Sequence, residues 1–127
     1  MKKIIQTKNA PSPIGPYNQA VLAGGMLYLS GQIAIDPLSG NLVLDSIEAE
    51  THQVMKNIEA ILIEAGLSFN HVVKTSIFLM DMNNFAKVNE VYGAYFTSDY
   101  PARETVQVSC LPKNVNVEIS MIAVASI

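Results

Sequence analysis

The 127-residue sequence has little charge: only 15% of its residues are Asp, Glu, Lys or Arg, although 50% are hydrophobic. A soluble domain ordinarily carries about 25% charged residues, so this chain has too few to solvate the whole surface of a monomer. We therefore expect part of its surface to be buried between subunits. The net charge of -3 and the scattered basic residues give no positive patch for a phosphate backbone, so nucleic acid is not expected as a partner.

Cysteine and long apolar segments are also scarce. Cys110 is the single cysteine, so it has no intrachain disulfide partner. The two lysines at the start precede no apolar stretch of signal-peptide length, and the longest apolar run, residues 20–29, is about half of a membrane span. We therefore expect a cytoplasmic protein without a transmembrane segment.

A chain of this length can bury enough surface to fold as one domain, residues 1–127, without a disulfide or metal to stabilise it. The histidines, His52 and His71, have no cysteine, histidine or carboxylate arrangement resembling a zinc ligand set. The glycines lack the spacing of a phosphate-binding loop. Neither a zinc site nor a nucleotide-binding loop is expected.

Hydrophobic periodicity predicts five strands and two helices. Gly24 and Gly25 provide a hairpin turn between the first two strands, and spacings of three and four predict a helix from Asp45, capped by Asp45 and Glu48 and stopped by Gly66. A further short strand is possible at residues 3–7. The order is strand, strand, helix, strand, helix, strand, strand, over residues 19–23, 26–35, 45–66, 71–80, 83–97 and the two halves of 100–123.

Two helices can cover only one face of such a sheet, so the pattern predicts a two-layer α+β domain with a mixed sheet. The last two strands are predicted to form a hairpin through a turn at residues 111–114, with Glu118 opposite Gln107. The uncovered sheet face is expected to pack against neighbouring subunits. That face is predicted to carry Arg103, Thr105, Gln107 and Ser109.

Arg103 is a candidate anion-binding residue. Pro101 and the following strand restrict its backbone, so the planar guanidinium can meet a carboxylate or phosphate at a small ordering cost. The alternative is an arginine at a strand edge that makes an ordinary salt bridge.

Glu118 is a candidate general base or water-orienting group. It lies among Val117, Ile119 and Met121, where burial of an unpaired carboxylate costs several kcal/mol unless a partner compensates or its pKa rises. The alternative is a glutamate on the solvated side of an edge strand.

Three other polar residues adjoin rigid or apolar segments. Tyr17 follows a loop, residues 8–16, that contains three prolines, and Ser30 and Asn89 lie in a predicted strand and helix. Each could orient a small ligand. Each could equally make a structural hydrogen bond, because buried polar groups must be satisfied in any case.

At these residues the chain resembles the Rid family, also called YjgF-like proteins. The resemblance runs nearly end to end and includes Asn9-Ala-Pro, Ile14-Gly-Pro-Tyr17, Ser30-Gly-Gln32, Pro101-Ala-Arg103, Leu111-Pro-Lys and Val117-Glu-Ile119. It implies a chorismate-mutase-like α+β fold, assembled as a homotrimer with ligand sites in the clefts between subunits.

RidA-type members of this family hydrolyse 2-imino and enamino acids, such as 2-iminobutanoate and 2-iminopropanoate, to 2-oxo acids and ammonia. The resemblance implies that Arg103 binds the substrate carboxylate and that Glu118 positions the attacking water with the Thr105 backbone carbonyl. No metal or cofactor is implied. The pocket would be lined by Tyr17, reaching across the subunit boundary, and by Ser30, Gly31 and Asn89.

The chain departs from the usual family pattern directly after Arg103. Glu104 and Thr105 replace a small residue followed by Cys or another small residue, but a backbone carbonyl survives the change. Strand alternation is expected to turn Glu104 away from Arg103. Two other functions remain open: an endoribonuclease or translation inhibitor, and a non-catalytic module that binds small carboxylates.

Overall fold

The computed structural model describes residues 1–125, so residues 126 and 127 of the predicted domain lie outside the described residues. Three short 3-10 turns, Phe69–His71, Met82–Asn84 and Pro112–Asn114, accompany the main elements. These elements are β1 (Lys3–Ile5), β2 (Ala20–Ala23), β3 (Met26–Gln32), α1 (Ile47–Glu64), β4 (Val72–Leu79), α2 (Phe85–Gly93), β5 (Ala102–Gln107) and β6 (Val117–Val124).

The strands form one mixed sheet in the order β1-β2-β3-β6-β4-β5. Strand β4 runs antiparallel to β6 and parallel to β5, which is the last strand at its edge. The predicted hairpin of the last two strands is therefore wrong: β4 separates them, and Glu118 pairs with Phe78 instead of Gln107. A strand, a helix and a second strand usually return as a parallel pair, and β4-α2-β5 follows that rule.

Both helices pack on one face of the sheet and enclose the core, which confirms the two-layer α+β prediction. The inward residues alternate along β6 with half-buried residues on the opposite face. The largest hydrophobic side chains with almost no exposure are Leu27, Met55, Ile58, Ile61, Leu62, Ile77, Leu79, Ile119 and Met121.

The predicted position of Arg103 and Thr105 on the uncovered face is wrong. Arg103 pairs with Thr75 and Thr105 pairs with Ile77, and both partners on β4 are fully buried on the helix side. Gln107, which pairs with Leu79, follows the same parity, and Ser109 lies beyond β5. Alternation predicts which residues share a face, but the packing of α2 decides which face that is.

The N-cap of helix α1 lies one residue after the predicted cap, Asp45. Ser46 is the N-cap, and its hydroxyl accepts a hydrogen bond of 3.0 Å from the Ala49 N–H. The predicted pairing of Asp45 with Glu48 is thus wrong by one position. Gly66 ends the helix as expected, because its φ of +76° suits a residue without a Cβ atom.

Helix α2 is shorter than predicted. It covers Phe85–Gly93, and a 3-10 turn over Met82–Asn84 forms the first part of the segment that was expected to be helical. The side chains of Tyr92 and Phe96 remain buried in the core. The buried face therefore continues beyond the end of the helix.

We expect Ser46→Ala to lower the free energy of unfolding by about 1 kcal/mol, because the Ala49 N–H loses its acceptor. Asp45→Ala is the matched control and should change it by much less, since Ser46 provides the cap. Urea unfolding of both variants checks this expectation. A larger loss for Asp45→Ala would contradict the assignment of the cap.

Candidate active site

Arg103 lies on β5 against two aromatic rings of α2. Its guanidinium carbon is 5.1 Å from the ring centroid of Tyr92 and 5.7 Å from that of Phe85. The Tyr92 hydroxyl donates a hydrogen bond of 2.9 Å to Thr75 Oγ1, which fixes the ring that lies closer to the guanidinium. Cation–π attraction therefore holds the arginine in place without using its N–H donors on a carboxylate.

The alternative of an ordinary Arg103 salt bridge is not borne out. Among residues 1–125 the single ion pair joins Lys74 Nζ and Glu104 Oε1 at 3.0 Å. Arg103 instead borders a pocket of about 300 Å³, which we call the arginine half-site. It is lined by Asn89, Tyr92, Gly93, Tyr100, Pro101 and Arg103.

Glu118 lies on β6, which is an interior strand, so the alternative of a solvated edge strand is wrong. Its side chain is half-buried on the sheet face away from the helices, and this burial raises the pKa of its carboxyl above the usual value. Gly31 lies directly beside it: a Cβ atom at Gly31 would be 2.8 Å from the Glu118 carboxyl carbon. A side chain at position 31 would therefore require the carboxylate to move.

A second pocket, of about 340 Å³, contains Glu118, and we call it the glutamate half-site. The Tyr17 hydroxyl accepts a hydrogen bond of 3.2 Å from the Ile14 N–H, and the Ser30 hydroxyl donates to the Asn18 carbonyl. Four of the predicted site residues thus meet here. The lining residues are Ile14, Tyr17, Ser30, Gly31, Pro112 and Glu118.

Gln19 is a buried residue that the sequence analysis did not single out. Its side-chain oxygen accepts from the Thr7 N–H at 2.7 Å, and its amide nitrogen donates to the carbonyls of Thr7, Ala10 and Pro11. These bonds fix the proline-containing loop before Tyr17. Its position directly before the apolar strand β2 is the sequence feature that could have identified it.

The two half-sites do not meet within one chain. Arg103 pairs with Thr75 and Glu118 pairs with Phe78 on the strand between them, which places the two side chains on opposite faces of the sheet. Strand spacing and rise put their Cα atoms about 14 Å apart. One small ligand therefore cannot contact both residues of the same chain.

Thr105 and Glu104 lie beside Arg103 in sequence but outside both half-sites. The Thr105 hydroxyl is buried and has no hydrogen-bond partner among residues 1–125. Glu104 points to the other face, as expected, where it pairs with Lys74 and accepts a hydrogen bond from Ser76. The Ser76 hydrogen bond and, after it, Lys74 lower the pKa of Glu104.

The two histidines have structural partners. His52 Nδ1 lies 3.0 Å from the Tyr95 hydroxyl, and His71 completes the cap of the turn after Ser68. Within residues 1–125 no group of three or more His, Cys, Asp or Glu side chains is arranged to hold a metal ion. No helix in that range is long and apolar enough to cross a membrane.

We expect Glu118→Gln to be more stable than the wild type at neutral pH. A raised pKa means that the unfolded chain ionises first as pH rises, so the folded state loses stability between the ordinary glutamate pKa and the raised one. The advantage of the glutamine should vanish below a pH of about 4. Urea unfolding of both proteins at neutral pH and below a pH of about 4 measures this difference in stability.

Glu104→Gln is the matched control, and its effect should have the opposite sign. The lowered pKa of Glu104 stabilises the folded state above the ordinary glutamate pKa, and this contribution is lost as pH falls. The control should therefore be less stable than the wild type at neutral pH. Equal stability of Glu118→Gln and wild type across the range would contradict the burial effect.

The chain is similar to known proteins over nearly its whole length. The family model described as Endoribonuclease L-PSP matches residues 7–125. A RutC family protein of Pyrococcus horikoshii is 54% identical over 123 residues, which cover 97% of this chain and 98% of the relative. The human 2-iminobutanoate/2-iminopropanoate deaminase is 47% identical over 124 residues, which cover 98% of this chain and 90% of the relative.

The fold is also shared with solved structures. The crystal structure of Escherichia coli TdcF with bound serine superposes with a TM-score of 0.93 at 42% identity, covering 98% of this chain and 99% of that one. The similarity extends over nearly the whole of each protein, and the residues of both half-sites fall within the matched segment. The chain therefore belongs to the Endoribonuclease L-PSP family, which is the YjgF/RidA, or Rid, family.

Proposed function

We propose that this protein is an imine deaminase that hydrolyses 2-imino acids and their enamine tautomers, of the 2-iminobutanoate and 2-iminopropanoate class, to 2-oxo acids and ammonia. The observation that carries the proposal is the pair of half-sites. An arginine that has no carboxylate partner among residues 1–125 lines one, and a half-buried carboxylate with a raised pKa lines the other. Relatives named for this activity, among them the human enzyme, support it.

The arginine half-site would bind the substrate carboxylate. The planar guanidinium can donate two parallel hydrogen bonds to it, and the rings of Tyr92 and Phe85 already restrict the side chain. Asn89 lies in the same pocket and would orient the remaining polar atoms. Binding of serine by TdcF is consistent with a pocket for small acids.

The glutamate half-site would activate water. The Glu118 carboxylate accepts a proton from a water molecule while the water oxygen bonds to C2 and the C=N π electrons move to nitrogen. Glu118 then gives this proton to the nitrogen of the carbinolamine, the C–N bond breaks with release of ammonia, and the hydroxyl loses its proton to become the carbonyl. A protonated imine is already electrophilic, so positioning and one general base supply most of the catalysis.

A complete site requires two copies of the chain. The faces of the sheet separate Arg103 from Glu118 within one copy, whereas a neighbouring copy can bring its glutamate half-site to the arginine half-site. A closed ring of three such contacts is a homotrimer with three equivalent sites. The low charge content and the uncovered sheet face support this assembly.

The remaining assignments extend this proposal. Tyr17, Ser30 and Gly31 would line the substrate pocket, and the backbone carbonyl of Thr105 would help to hold the water. A single domain over residues 1–127 and a cytoplasmic location also stay predictions. The endoribonuclease description of the family names another activity, but the carboxylate-binding geometry favours imine hydrolysis.

We expect Arg103→Ala and Glu118→Gln each to lower imine turnover by about 100-fold or more. The imine is generated by a dehydratase acting on serine or threonine, and release of the 2-oxo acid is followed after subtraction of spontaneous hydrolysis. Arg103→Ala should also lose affinity for a 2-oxo acid, whereas Glu118→Gln should retain it. Glu104→Gln, on the other face, is the control that keeps activity.

Two outcomes would contradict the proposal. Turnover unchanged by Arg103→Ala would exclude the carboxylate-binding role. Affinity for a 2-oxo acid together with turnover unaffected by Glu118→Gln would favour the non-catalytic carboxylate-binding module.

A mixed-subunit experiment tests the shared site. Arg103→Ala and Glu118→Gln subunits are each inactive alone, but a site that combines the intact half-site of each is complete. Denaturing and refolding an equal mixture should therefore restore about one quarter of the wild-type activity. If Arg103 and Glu118 of the same chain acted together, the mixture would recover no activity. That result would reject the intersubunit site.

A further inference from the structure

Glu50 is a fully buried carboxylate on α1 that neither half-site contains. Its Oε2 accepts hydrogen bonds from the Asn116 N–H at 2.7 Å and from the Val117 N–H at 3.0 Å, and its Oε1 accepts from Asn116 Nδ2 at 2.7 Å. The single ion pair among residues 1–125 does not involve it. A buried carboxylate is tolerated only if such donors compensate for its lost hydration.

The groups that Glu50 binds lie directly before Glu118. Val117 is the first residue of β6 and points toward the helices, so the next residue, Glu118, points to the opposite face. The Asn116 carbonyl is fixed as well, because it accepts a hydrogen bond of 3.1 Å from the Met80 N–H. Glu50 thus holds the backbone from which the Glu118 side chain extends.

Gly31, on β3, limits where the Glu118 side chain can lie. The close approach of Gly31 leaves no room for a shift toward β3. A displacement of about 1 Å at a reacting group can lower a rate by about 100-fold. The start of β6 is therefore a place where a small backbone movement would change catalysis.

We propose that Glu50 is a positioning residue for Glu118: by binding the N–H groups of Asn116 and Val117, it sets where the carboxylate that activates water lies. The proposal rests on the imine-deaminase function proposed above. It concerns hydrogen-bond geometry and length, because within the described part of the chain no cationic side chain pairs with Glu50 and its hydrogen-bond partners are N–H donors.

This distinction makes two conservative variants informative. In Glu50→Gln, the remaining carbonyl oxygen can accept from both backbone N–H groups, and the Asn116 amide can rotate to present its oxygen to the new NH₂ group. In Glu50→Asp, the charge remains, but the side chain is one methylene shorter and no longer reaches the start of β6. If Glu50 positions β6, turnover depends on the length of its side chain. If its charge matters instead, turnover depends on the carboxylate.

The test measures imine turnover and 2-oxo acid binding per folded oligomer for wild type, Glu50→Gln, Glu50→Asp and Glu118→Gln. We expect Glu50→Asp to lower kcat by about tenfold or more while the dissociation constant of the 2-oxo acid, which reports on Arg103, stays within about twofold. Glu50→Gln should keep kcat within about threefold of wild type. A residue that only stabilises the fold would lower the amount of folded oligomer and leave kcat per site unchanged.

Wild-type kcat in Glu50→Asp, or a larger loss in Glu50→Gln than in Glu50→Asp, would overturn the positioning role. Glu118→Gln separates this failure from that of the function: if it keeps wild-type turnover, the deaminase proposal itself has failed. Should Glu50→Asp yield no folded protein, Asn116→Ala, at an exposed residue, removes the Nδ2 bond that keeps the Glu50 carboxylate aligned with the N–H groups of Asn116 and Val117. It should then lower kcat several-fold at unchanged 2-oxo acid affinity, and an unchanged kcat would overturn the proposal.

Discussion

The placement of β4 between β5 and β6 is the constraint on which the rest of the structure depends. Its parallel pairing with β5 turns Arg103 toward the helices, and its antiparallel pairing with β6 turns Glu118 toward the other face. The two groups with the clearest chemical role are thus kept apart in one chain. In the proposed mechanism a second copy brings them to a single small substrate, so the topology would link catalysis to assembly.

Each half-site is held by neighbours that do not themselves perform chemistry. Thr75 fixes the Tyr92 ring that supports Arg103, Gln19 fixes the loop before Tyr17, and Glu50 fixes the strand that carries Glu118. All three are buried polar residues whose hydrogen bonds are satisfied. Such rigid support suits a reaction in which water placement is the main requirement.

Much of the site could be predicted because its residues lie in short motifs that resemble those of a known family. Arg103, Glu118 and Gly31 each face a pocket or its wall, and Glu104 turns away as alternation requires. The hairpin prediction failed because adjacent strands in sequence need not pair, and the helix between β4 and β5 favoured a parallel return. The face of Arg103 was then assigned to the wrong side of the sheet.

The sequence by itself determined the α+β class, the alternation of buried and half-buried residues and the family, because these depend on local periodicity and on motifs. Only the tertiary structure decided the strand order, the face on which each side chain lies and the contact between Glu50 and the start of β6. These features join residues far apart in the chain, such as Glu50 and Val117, which are separated by 67 positions. Local sequence patterns carry no information on which distant backbone groups will meet, since packing of the whole domain selects them.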